Sequence, residues 1–398
     1  MSFVNWVLQI VAVARVSLGS LPERMGTAMV AMLGFAGVVL VFTGMLSIRE
    51  GFQNVVKRNG SPDVAMVIRG GSTSELTSGV SLENARVIGQ APGVAAGADG
   101  PVYSPEVLVV VDAPRLSTGS DSNVPFRGVT ERGFSIHDKV RIIDGRVFEP
   151  GRGEIIVGRQ AAVQYGGLTI GNELRWSGFT WRVVGIFEAD GGLEESEIWT
   201  DANTLQTAFE RGTFFQSVYV KLRSADAFQE FKDALTTNPQ LNVTVQRQDE
   251  YLQAQTETLS LFVTVAGGVI ALLMGLGAVF GAVNAMYATV SSRSVEIATL
   301  RAVGFGQTPV LISVLFESML LGAAGGVLGG LVSWFAFDGF QTSTLNWSSF
   351  SQVAFQFAVT PSLLAQGIVL ALVLGALGGF FPAIRAARLP IAAALRGR

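Results

Sequence analysis

The sequence contains no cysteine and a single histidine, His137. The absence of cysteine excludes disulfide bonds, thiolate metal sites and cysteine nucleophiles, and one histidine excludes most histidine-based metal centres and catalytic triads. Charge is also scarce, because 15% of the residues are Asp, Glu, Lys or Arg, against about 25% in soluble proteins. With 49% apolar residues, the chain has more apolar surface than a soluble globule could cover, so part of it must face something other than water. The net charge of −3 argues against a nucleic-acid-binding protein.

A nucleotide-binding P-loop is also missing. That motif needs a lysine directly after a glycine, because the glycine-rich loop wraps the phosphates and the lysine reaches them. None of the lysines of this chain follows a glycine, so we expect no ATPase activity of the conventional kind from this sequence by itself. The lysines are Lys57, Lys139, Lys221 and Lys232.

Four stretches are long and apolar enough to cross a bilayer whose hydrocarbon core is about 30 Å thick. The first, residues 25–48, carries no charge and would span about 36 Å as a helix. In front of it, apolar residues recur at helical spacing, which predicts an amphipathic helix within residues 1–24 at the membrane interface, or a helix packed against the bundle. We predict a bundle of four transmembrane helices at residues 25–48, 258–290, 308–337 and 361–381.

Arginines near the ends of the spans indicate the orientation, because positive charge favours the cytoplasmic side. They precede the first span, lie between the second and third, and follow the fourth, whereas the connection between the third and fourth has no basic residue. We therefore expect both chain ends on the cytoplasmic side. Residues 291–307 and 382–398 would also be cytoplasmic, and residues 49–257 and the short loop 338–360 would lie outside.

Residues 49–257 have the pattern of a folded domain. Strand–helix–strand units are predicted at residues 63–111 and 217–246, and Ser81 suits the N-cap of the first helix. Two such units separated by other material predict an α+β domain with a split βαβ, ferredoxin-like layout. Between them, at about residues 112–200, glycine-rich and strand-rich sequence predicts an inserted β-rich subdomain.

Few polar residues stand out as site candidates. Glu194, Glu195 and Glu197 could bind a cation, but a flexible acidic loop after two glycines is the preferred interpretation. His137 stands in a polar stretch and is interpreted as a surface residue. Glu317, near the start of the third span, is a candidate functional residue inside the membrane, with helix capping or an interfacial position as the alternative.

Small residues recur every four positions in three of the spans. Because this spacing lets helix backbones approach closely in lipid, it predicts tight helix packing. No stripe of charged or amide side chains runs through a span, so we do not expect a hydrophilic pore. The repeats are Gly322, Gly326 and Gly330; Ala371, Gly375 and Gly379; and Gly277, Gly281 and Ala285.

The connection between the second and third spans predicts a short helix over Ser292–Val303. Gly304 suits the left-handed residue that ends a helix, and Thr308 followed by Pro309 suits the N-cap and first position of the next one. A rigid elbow of this kind could pass force to a cytoplasmic partner, or it could be an ordinary tight connection. The charged side chains expected to project from this helix are Arg293, Glu296 and Arg301.

The segment Ser292–Gly330 resembles the signature of the MacB/FtsX-like ABC transporter permease family, R-x-x-E-I-x-x-L-[RK]-A-[LV]-G followed by an apolar helix with a glutamate and a glycine cluster. Glu317 corresponds to that glutamate. Pro382–Arg396 is similar to the family's C-terminal motif, and residues 142–188 resemble the periplasmic core domain of MacB-type members. The matching residues of the signature are Arg293, Glu296, Ile297, Leu300, Arg301, Ala302, Gly304, Gly325, Gly326 and Gly329.

The resemblance implies the permease subunit of an ABC transporter in the bacterial inner membrane, working with a separate cytoplasmic ATPase. Two permeases, identical or paralogous, would assemble with two ATPases, and ATP with magnesium would bind to the ATPase. This chain itself would hold no cofactor, metal or catalytic residue. A periplasmic adaptor protein and an outer-membrane channel are further implied partners. The short helix would be the coupling helix, with Arg293, Glu296, Arg301 and Gly304 as its coupling residues.

The function that the resemblance implies is mechanotransmission, in which ATP-driven movement passes through the spans to the outside domain and drives export. The family also includes lipoprotein-releasing permeases and regulators of cell-wall hydrolases, which form the alternative within the family. A membrane-anchored sensor whose outside domain binds a ligand is the alternative from a different class. Association with an ABC ATPase distinguishes the first two from the third.

Overall fold

The computed structural model describes residues 25–346 and 351–394, together with Gln9. The predicted interfacial helix within residues 1–24 therefore lies outside the described residues, except for Gln9. The chain divides into two compact units. The helical unit takes in the residues up to Gly51, Leu259–Phe340 and the residues from Phe357 onward, and the α+β unit takes in Phe52–Thr258 and Gln341–Gln356.

The helices of the described chain, numbered in chain order, fall into long apolar ones and short ones. They are α1 Met25–Asn59, α2 Leu82–Gly89, α3 Gly133–Ile136, α4 Arg159–Gln164, α5 Ala202–Ala208, α6 Phe228–Thr236, α7 Gln248–Ser292, α8 Ser294–Ala302, α9 Gln307–Phe337, α10 Pro361–Ala387 and α11 Ile391–Ala394. Short 3-10 helices occur at Glu75–Thr77, Leu193–Ser196 and Ala225–Ala227.

The strands of the described chain all belong to the α+β unit. They are β1 Val64–Arg69, β2 Val80–Ser81, β3 Ala96–Gly97, β4 Gly100–Pro101, β5 Tyr103–Pro114, β6 Asp121–Val129, β7 Arg141–Gly145, β8 Glu154–Gly158, β9 Glu173–Trp176, β10 Phe179–Glu188, β11 Ile198–Asp201, β12 Phe214–Phe215, β13 Ser217–Lys221, β14 Val243–Arg247, β15 Gln341–Asn346 and β16 Ser351–Gln356.

Four helices are long and apolar enough to cross a membrane, which confirms the predicted four-helix bundle. They are α1, α7, α9 and α10, and two of them continue as helix beyond their apolar stretches. Helix α7 has 45 residues and a length of about 68 Å, more than a bilayer requires. The apolar segments are Met25–Val55, Ser260–Ser292, Gln307–Phe337 and Pro361–Ala387.

The predicted split βαβ layout is confirmed in the α+β unit. Strands β14, β1, β13 and β5 lie side by side in this order and each pairs antiparallel with its neighbour, which is the order of a ferredoxin-like sheet. Helix α2 begins after Ser81, whose hydroxyl accepts a hydrogen bond from the amide of Asn84 at 3.2 Å. The N-cap predicted at this serine is thus present.

The β-rich part between the two βαβ halves extends this sheet rather than forming a separate one. The first residues of β5 pair with β13, whereas Val107–Pro114 pair with β6. From β6 the sheet continues through β11, β8, β10 and β7. The expected boundary near residue 112 therefore falls within a strand. Asp112 and Pro114 are typical turn residues, but both still pair with β6, so the strand continues past the end of its apolar run at Val111.

The connection between the third and fourth spans is a β-hairpin and not the expected loop. Strands β15 and β16 pair antiparallel from Gln341 with Gln356 to Asn346 with Ser351. Both strands belong to the α+β unit, in which β16 lies against β6. The sequence predicts a loop here because polar residues dominate residues 341–352. The apolar alternation of β16, with Val353 and Phe355, is too short to outweigh them.

Candidate functional site

Helices α9 and α10 pack with their backbones in close contact at glycine. A β-carbon built on Gly322 would overlap the carbonyl oxygen of Ala371, and one built on Gly326 would lie 2.9 Å from the β-carbon of the same alanine. From the other side, the hydroxyl of Ser318 donates a 2.7 Å hydrogen bond to the carbonyl of Gly375. Any side chain at these glycines would push the helices apart. The remaining predicted packing residues also lie in this contact, Gly330 against Leu364 and Gly379 against Ser318.

Helix α9 uses a second glycine face against α1. A β-carbon on Gly325 would meet the carbonyl of Met32, and one on Gly329 would meet the carbonyl of Ala36. By contrast, within the described residues no other part of the chain comes within 4 Å of an ideal β-carbon on Gly277 or on Gly281 of α7. These two members of the predicted repeat therefore face outward, whereas the third, Ala285, packs against a cluster formed with α1 and α10.

The elbow helix α8, between the second and third spans, ends in a Schellman motif. The amide of Gly304 donates to the carbonyl of Arg301 at 3.2 Å, and the amide of Phe305 donates to the carbonyl of Leu300 at 3.1 Å. Gly304 has a φ of +112°, a conformation that glycine adopts without strain. Helix α9 then begins at Gln307 with Gly306 at its N-cap, so the N-cap predicted at Thr308 is wrong. The following proline lies within the first turn, where backbone amides have no helical acceptor.

The inner face of α8 is anchored in the apolar core of the helical unit. Ile297 and Ala298 are buried, and Ile297 belongs to a cluster contributed by α7, α9 and α10. Helix α11 lies against α8, and the guanidinium of Arg301 donates to the carbonyl of Leu389 between α10 and α11. The cluster consists of Met286, Val290, Ile297, Val310, Val314, Leu321, Ala383 and Ala386.

Arg293 points into the helical unit and does not project from it as expected. It stands between the last residue of α7 and the first of α8, and it is 4% exposed. Its Nη1 lies 3.3 Å from Oε2 of Glu317 on α9, and its Nε donates to Glu296 on α8 at 3.0 Å. Glu317 is 6% exposed and paired. The sequence alone could not reveal this pairing, because the two residues are 24 positions apart.

The outer face of α8 is largely apolar and uncovered. Val295 is half exposed and Val303, just after the helix, is 77% exposed. Thr299 and Ala302 are exposed between them, and the carboxylate of Glu296 is half exposed at the edge of this surface. We call Val295, Thr299, Ala302 and Val303 the elbow surface. Helix α8 therefore combines a fixed inner face with a small apolar outer face.

A buried charge cluster lies inside the α+β unit and is centred on Arg127 of β6. Its five side-chain hydrogen bonds go to three carboxylates: two to Glu197 at 2.8 and 2.9 Å, two to Glu75 at 3.1 Å and one to Glu106 at 3.0 Å. Every N–H donor of the guanidinium is thus used. Glu106 lies on β5, the strand that both parts of the sheet share. The cluster therefore joins the ferredoxin-like part to the β-rich part.

His137 belongs to this cluster and is not the surface residue expected from the sequence. Its Nε2 lies 3.0 Å from the carboxylate of Glu106, and its Nδ1 lies 3.8 Å from that of Glu194. Its ring packs edge-on against Trp199. Burial lowers the pKa of His137, but the neighbouring Glu106 and Glu194 carboxylates outweigh burial and raise the pKa to about 10. The ring is therefore a cation at neutral pH.

Two carboxylates of the cluster have pKa values that are shifted in opposite directions. Burial raises the pKa of Glu75, but the charge and hydrogen bonds of Arg127 outweigh it and hold the pKa below the usual value. At Glu197 burial prevails over Arg127, so its pKa is raised. Ser217 donates a 2.7 Å hydrogen bond to Glu75, which supports the ionised form of that residue.

The acidic segment that contains Glu194, Glu195 and Glu197 is ordered, so the expected flexible loop is wrong. Residues Leu193–Ser196 form a 3-10 helix, and β11 follows. Glu195 is fully buried and accepts hydrogen bonds from the amides of Ala189 and Gly191 at 2.9 and 2.7 Å. These acids serve the protein's own hydrogen bonding. Arg127 itself was not singled out from the sequence, although a charged residue inside a buried strand is a signal for a paired charge.

Sequence comparison places both units beside known families. The model of the MacB-like periplasmic core domain matches residues 28–238, and that of the FtsX-like permease C-terminal region matches residues 268–391. The macrolide export ATP-binding/permease protein MacB of Pasteurella multocida is 24% identical over 314 residues, which are 72% of this chain and 45% of that protein. The pyoverdine export ATP-binding/permease protein PvdT of Pseudomonas savastanoi pv. phaseolicola is 33% identical over 144 residues, 36% of this chain and 20% of that protein.

This chain thus spans less than half the length of these two relatives. Among solved structures, the periplasmic region of MacB from Actinobacillus actinomycetemcomitans matches with a TM-score of 0.38 and 11% identity, covering 51% of this chain and 96% of that one. The extracellular domain of the ABC-type transporter YknZ from Gram-positive bacteria matches with a TM-score of 0.35 and 18% identity, covering 46% of this chain and all of that one.

Proposed function

Because the chain belongs to the MacB/FtsX-like family of ABC transporter permeases, we propose that it is a permease subunit that transmits ATP-driven movement from a cytoplasmic ATPase to its α+β domain and so drives export. The ATPase would be a separate subunit and would bind ATP and magnesium. Two permeases and two ATPases would form the complex in the inner membrane. The names of two relatives, which are export proteins, favour export over lipoprotein release or control of a cell-wall hydrolase.

The observation that best supports this proposal is the structure of α8, which has a buried inner face and an exposed apolar outer face. The helix is capped at its end and buried along Ile297 and Ala298, so it cannot shift independently of the spans. It also presents the elbow surface, an apolar patch about two helical turns long. An exposed patch of this kind at a rigid elbow supports docking of another protein. The arginine-rich ends of the spans support a cytoplasmic position for it.

The transmission route in this proposal runs through the spans and not through a channel. The sequence of the spans has no polar stripe, and Glu317 is neutralised by Arg293. Close glycine contacts join α9 to both α1 and α10, so a push on one helix displaces its neighbours. The α+β unit would then change its arrangement in the complex, with a periplasmic adaptor and an outer-membrane channel as further partners.

The test is site-specific photo-crosslinking from the elbow surface. Val303 is replaced by benzoylphenylalanine in the full chain in native membranes, and Leu116, an apolar residue of the α+β unit that is also well exposed, serves as the matched control. We expect Val303 to crosslink a protein that carries a Walker A motif, and Leu116 not to do so. In the copurified complex, Val303→Asp should weaken association with that ATPase roughly tenfold or more, because it places a charge in an apolar contact.

A Val303 crosslink that contains no ATPase, with no ATPase in the purified complex, would overturn the proposal and favour a membrane-anchored sensor. The proposed topology has its own measurement. Since the chain has no cysteine, single cysteines at Ser117 and Val303 can be labelled with a membrane-impermeant maleimide in intact cells. We expect labelling at Ser117 alone once the outer membrane is permeabilised.

A further inference from the structure

We propose that the buried ion pair between Arg293 and Glu317 is the positioning device that makes span α9 follow the elbow helix α8. This inference rests on the proposed function and names the residues that act between the docked helix and the spans. Arg293 was expected to belong to the docking surface. At 4% exposure it cannot touch a partner, so its role must lie inside the chain.

The position of the pair suits this role. Arg293 occupies the one residue between α7 and α8, where the chain changes direction. Glu317 lies ten residues into α9, about 15 Å along that helix from its first residue. The ion pair therefore bypasses the connection of residues 303–306 and attaches the start of α8 directly to the body of α9.

The free-energy cost of separating two buried charges keeps α8 and α9 attached at this point. Separation of the two side chains would break a contact between two buried charged groups beside the apolar cluster of the helical unit, which is far less favourable than keeping them together. The buried apolar contacts of Ile297 and Ala298 oppose a shift of α8, but they fix no particular pair of atoms and can readjust slightly. An ion pair with hydrogen-bond geometry cannot, so a displacement of α8 carries Glu317 with it.

From Glu317 the contact continues to the next span. The adjacent Ser318 donates its hydroxyl to the carbonyl of Gly375 on α10 at 2.7 Å. Since the helix backbones also meet at Gly322, the direct contact at that point opposes a shift of α9 relative to α10. The three elements α8, α9 and α10 are thereby joined by one ion pair, one hydrogen bond and direct backbone contact.

An ion pair that only stabilises the fold would have the same geometry. The variants therefore have to distinguish stabilisation of the fold from transmission of movement between α8 and α9. In Arg293→Met/Glu317→Met both buried charges are removed together, which leaves no buried unpaired charge and should keep the unit folded; Glu296, which also loses Arg293, is half exposed and solvated. In Arg293→Glu/Glu296→Gln/Glu317→Arg the pair is reversed, and Glu296→Gln removes the carboxylate that would otherwise repel the one introduced at position 293. Arg223→Met/Glu230→Met removes an exposed ion pair of the α+β unit by the same substitutions and is the matched control.

The readout is a spin label at Phe335→Cys, an 81% exposed residue at the end of α9 remote from α8. The full permease with its ATPase is reconstituted in lipid nanodiscs, and the ATP-dependent change in label mobility is measured beside the affinity for the ATPase. We expect the double-methionine variant to bind the ATPase within about twofold of the unaltered permease but to lose the ATP-dependent change roughly fivefold or more. The reversed pair should recover at least about half of that change, and the control should keep all of it.

A double-methionine variant that binds the ATPase and keeps the full label response would overturn the ion-pair inference alone. A reversed pair that does not restore the response would also count against it. The proposal depends on the ion pair itself and not on which of the two positions carries the positive charge. If the unaltered permease binds no ATPase, the proposed function fails, and the inference fails with it. The two failures therefore give different results.

Discussion

The two units of the chain bury arginine in different ways. In the α+β unit, all five N–H groups of Arg127 donate to three buried carboxylates. In the helical unit, Arg293 meets buried Glu317 and half-exposed Glu296. A guanidinium with every donor engaged fixes the elements around it, whereas one with a single interior partner attaches two helices at one point. The first arrangement suits a domain that moves as one piece, and the second suits a joint through which movement passes.

The two units also differ in the residues that fill their interiors. Large rings fill the α+β unit, where Phe126, Trp181 and Trp199 are fully buried. The helical unit is held by the absence of side chains at Gly322 and Gly326, which lets backbones meet. Lipid offers no hydrophobic driving force between helices, so close backbone contact has to supply the attraction there. The following predictions test this difference, beginning with the largest expected effect.

Loss of the central arginine should destabilise the α+β unit most. Arg127→Met removes all five hydrogen bonds and leaves Glu75, Glu106 and Glu197 buried against one another, which we expect to cost about 3–5 kcal/mol of unfolding free energy. Urea unfolding of the full chain in detergent, followed by the fluorescence of the buried tryptophans, measures it. Arg223→Met at an exposed ion pair is the control and should cost less than about 1 kcal/mol. Equal stability of the two variants would contradict a structural role of the cluster.

Much of the fold could be predicted because it depends on local patterns. Uncharged runs longer than a bilayer identify spans, and the strand–helix–strand periodicity of the α+β unit, with the Ser81 cap, identifies the split βαβ layout. The hairpin between the third and fourth spans could not be predicted because polar residues dominate β15, and the alternation of Val353 and Phe355 in β16 is too short to identify a strand by itself. The boundary near residue 112 was misplaced because β5 serves both parts of the sheet without a break.

The charge clusters could not be predicted, because their members are distant in sequence. Arg127 and Glu75 are 52 positions apart, and Ser217 lies 142 positions from Glu75. His137 stands in a polar stretch, so nothing local marks it as buried. Arg293 and Glu317 were both singled out, but the helical pattern of α8 alone could not say that one faces the other. Pairing across elements is decided by tertiary structure.

A single methyl group should distinguish the two glycine repeats of the helical unit. Gly322→Ala places a β-carbon against the carbonyl of Ala371, so α9 and α10 must separate, at a cost of about 1–3 kcal/mol. Gly281→Ala meets nothing within 4 Å and should be neutral or stabilising by up to about 1 kcal/mol, since alanine favours the helix. Equilibrium unfolding in mixed SDS micelles measures both. A destabilising Gly281→Ala would indicate a contact of α7 with another subunit.

The histidine of the cluster should make the stability of the α+β unit depend on alkaline pH. The pKa of His137 is about 10 when folded and near 6.5 when unfolded, so its contribution is complete below pH 6.5 and declines as the pH rises through 10. Its ring faces Glu106, Glu194, Trp199 and Tyr219. We expect His137→Gln to cost about 1–2 kcal/mol at neutral pH. Urea titrations between pH 7 and 10 should show this difference shrinking, and a difference that stays constant would mean that the ring is not charged.

The smallest effect is expected at the end of the elbow helix, where it sharpens the idea of a rigid joint. Gly304 has a φ of +112°, so Gly304→Ala strains the Schellman motif by about 1 kcal/mol, whereas Gly306→Ala stays at a negative φ that alanine accepts. Hydrogen–deuterium exchange of residues 294–305 should accelerate about fivefold in Gly304→Ala and little in Gly306→Ala. Equal exchange in both variants would show that the cap does not limit the opening of α8. The buried pair of Arg293 with Glu317 would then have to hold the elbow in place alone.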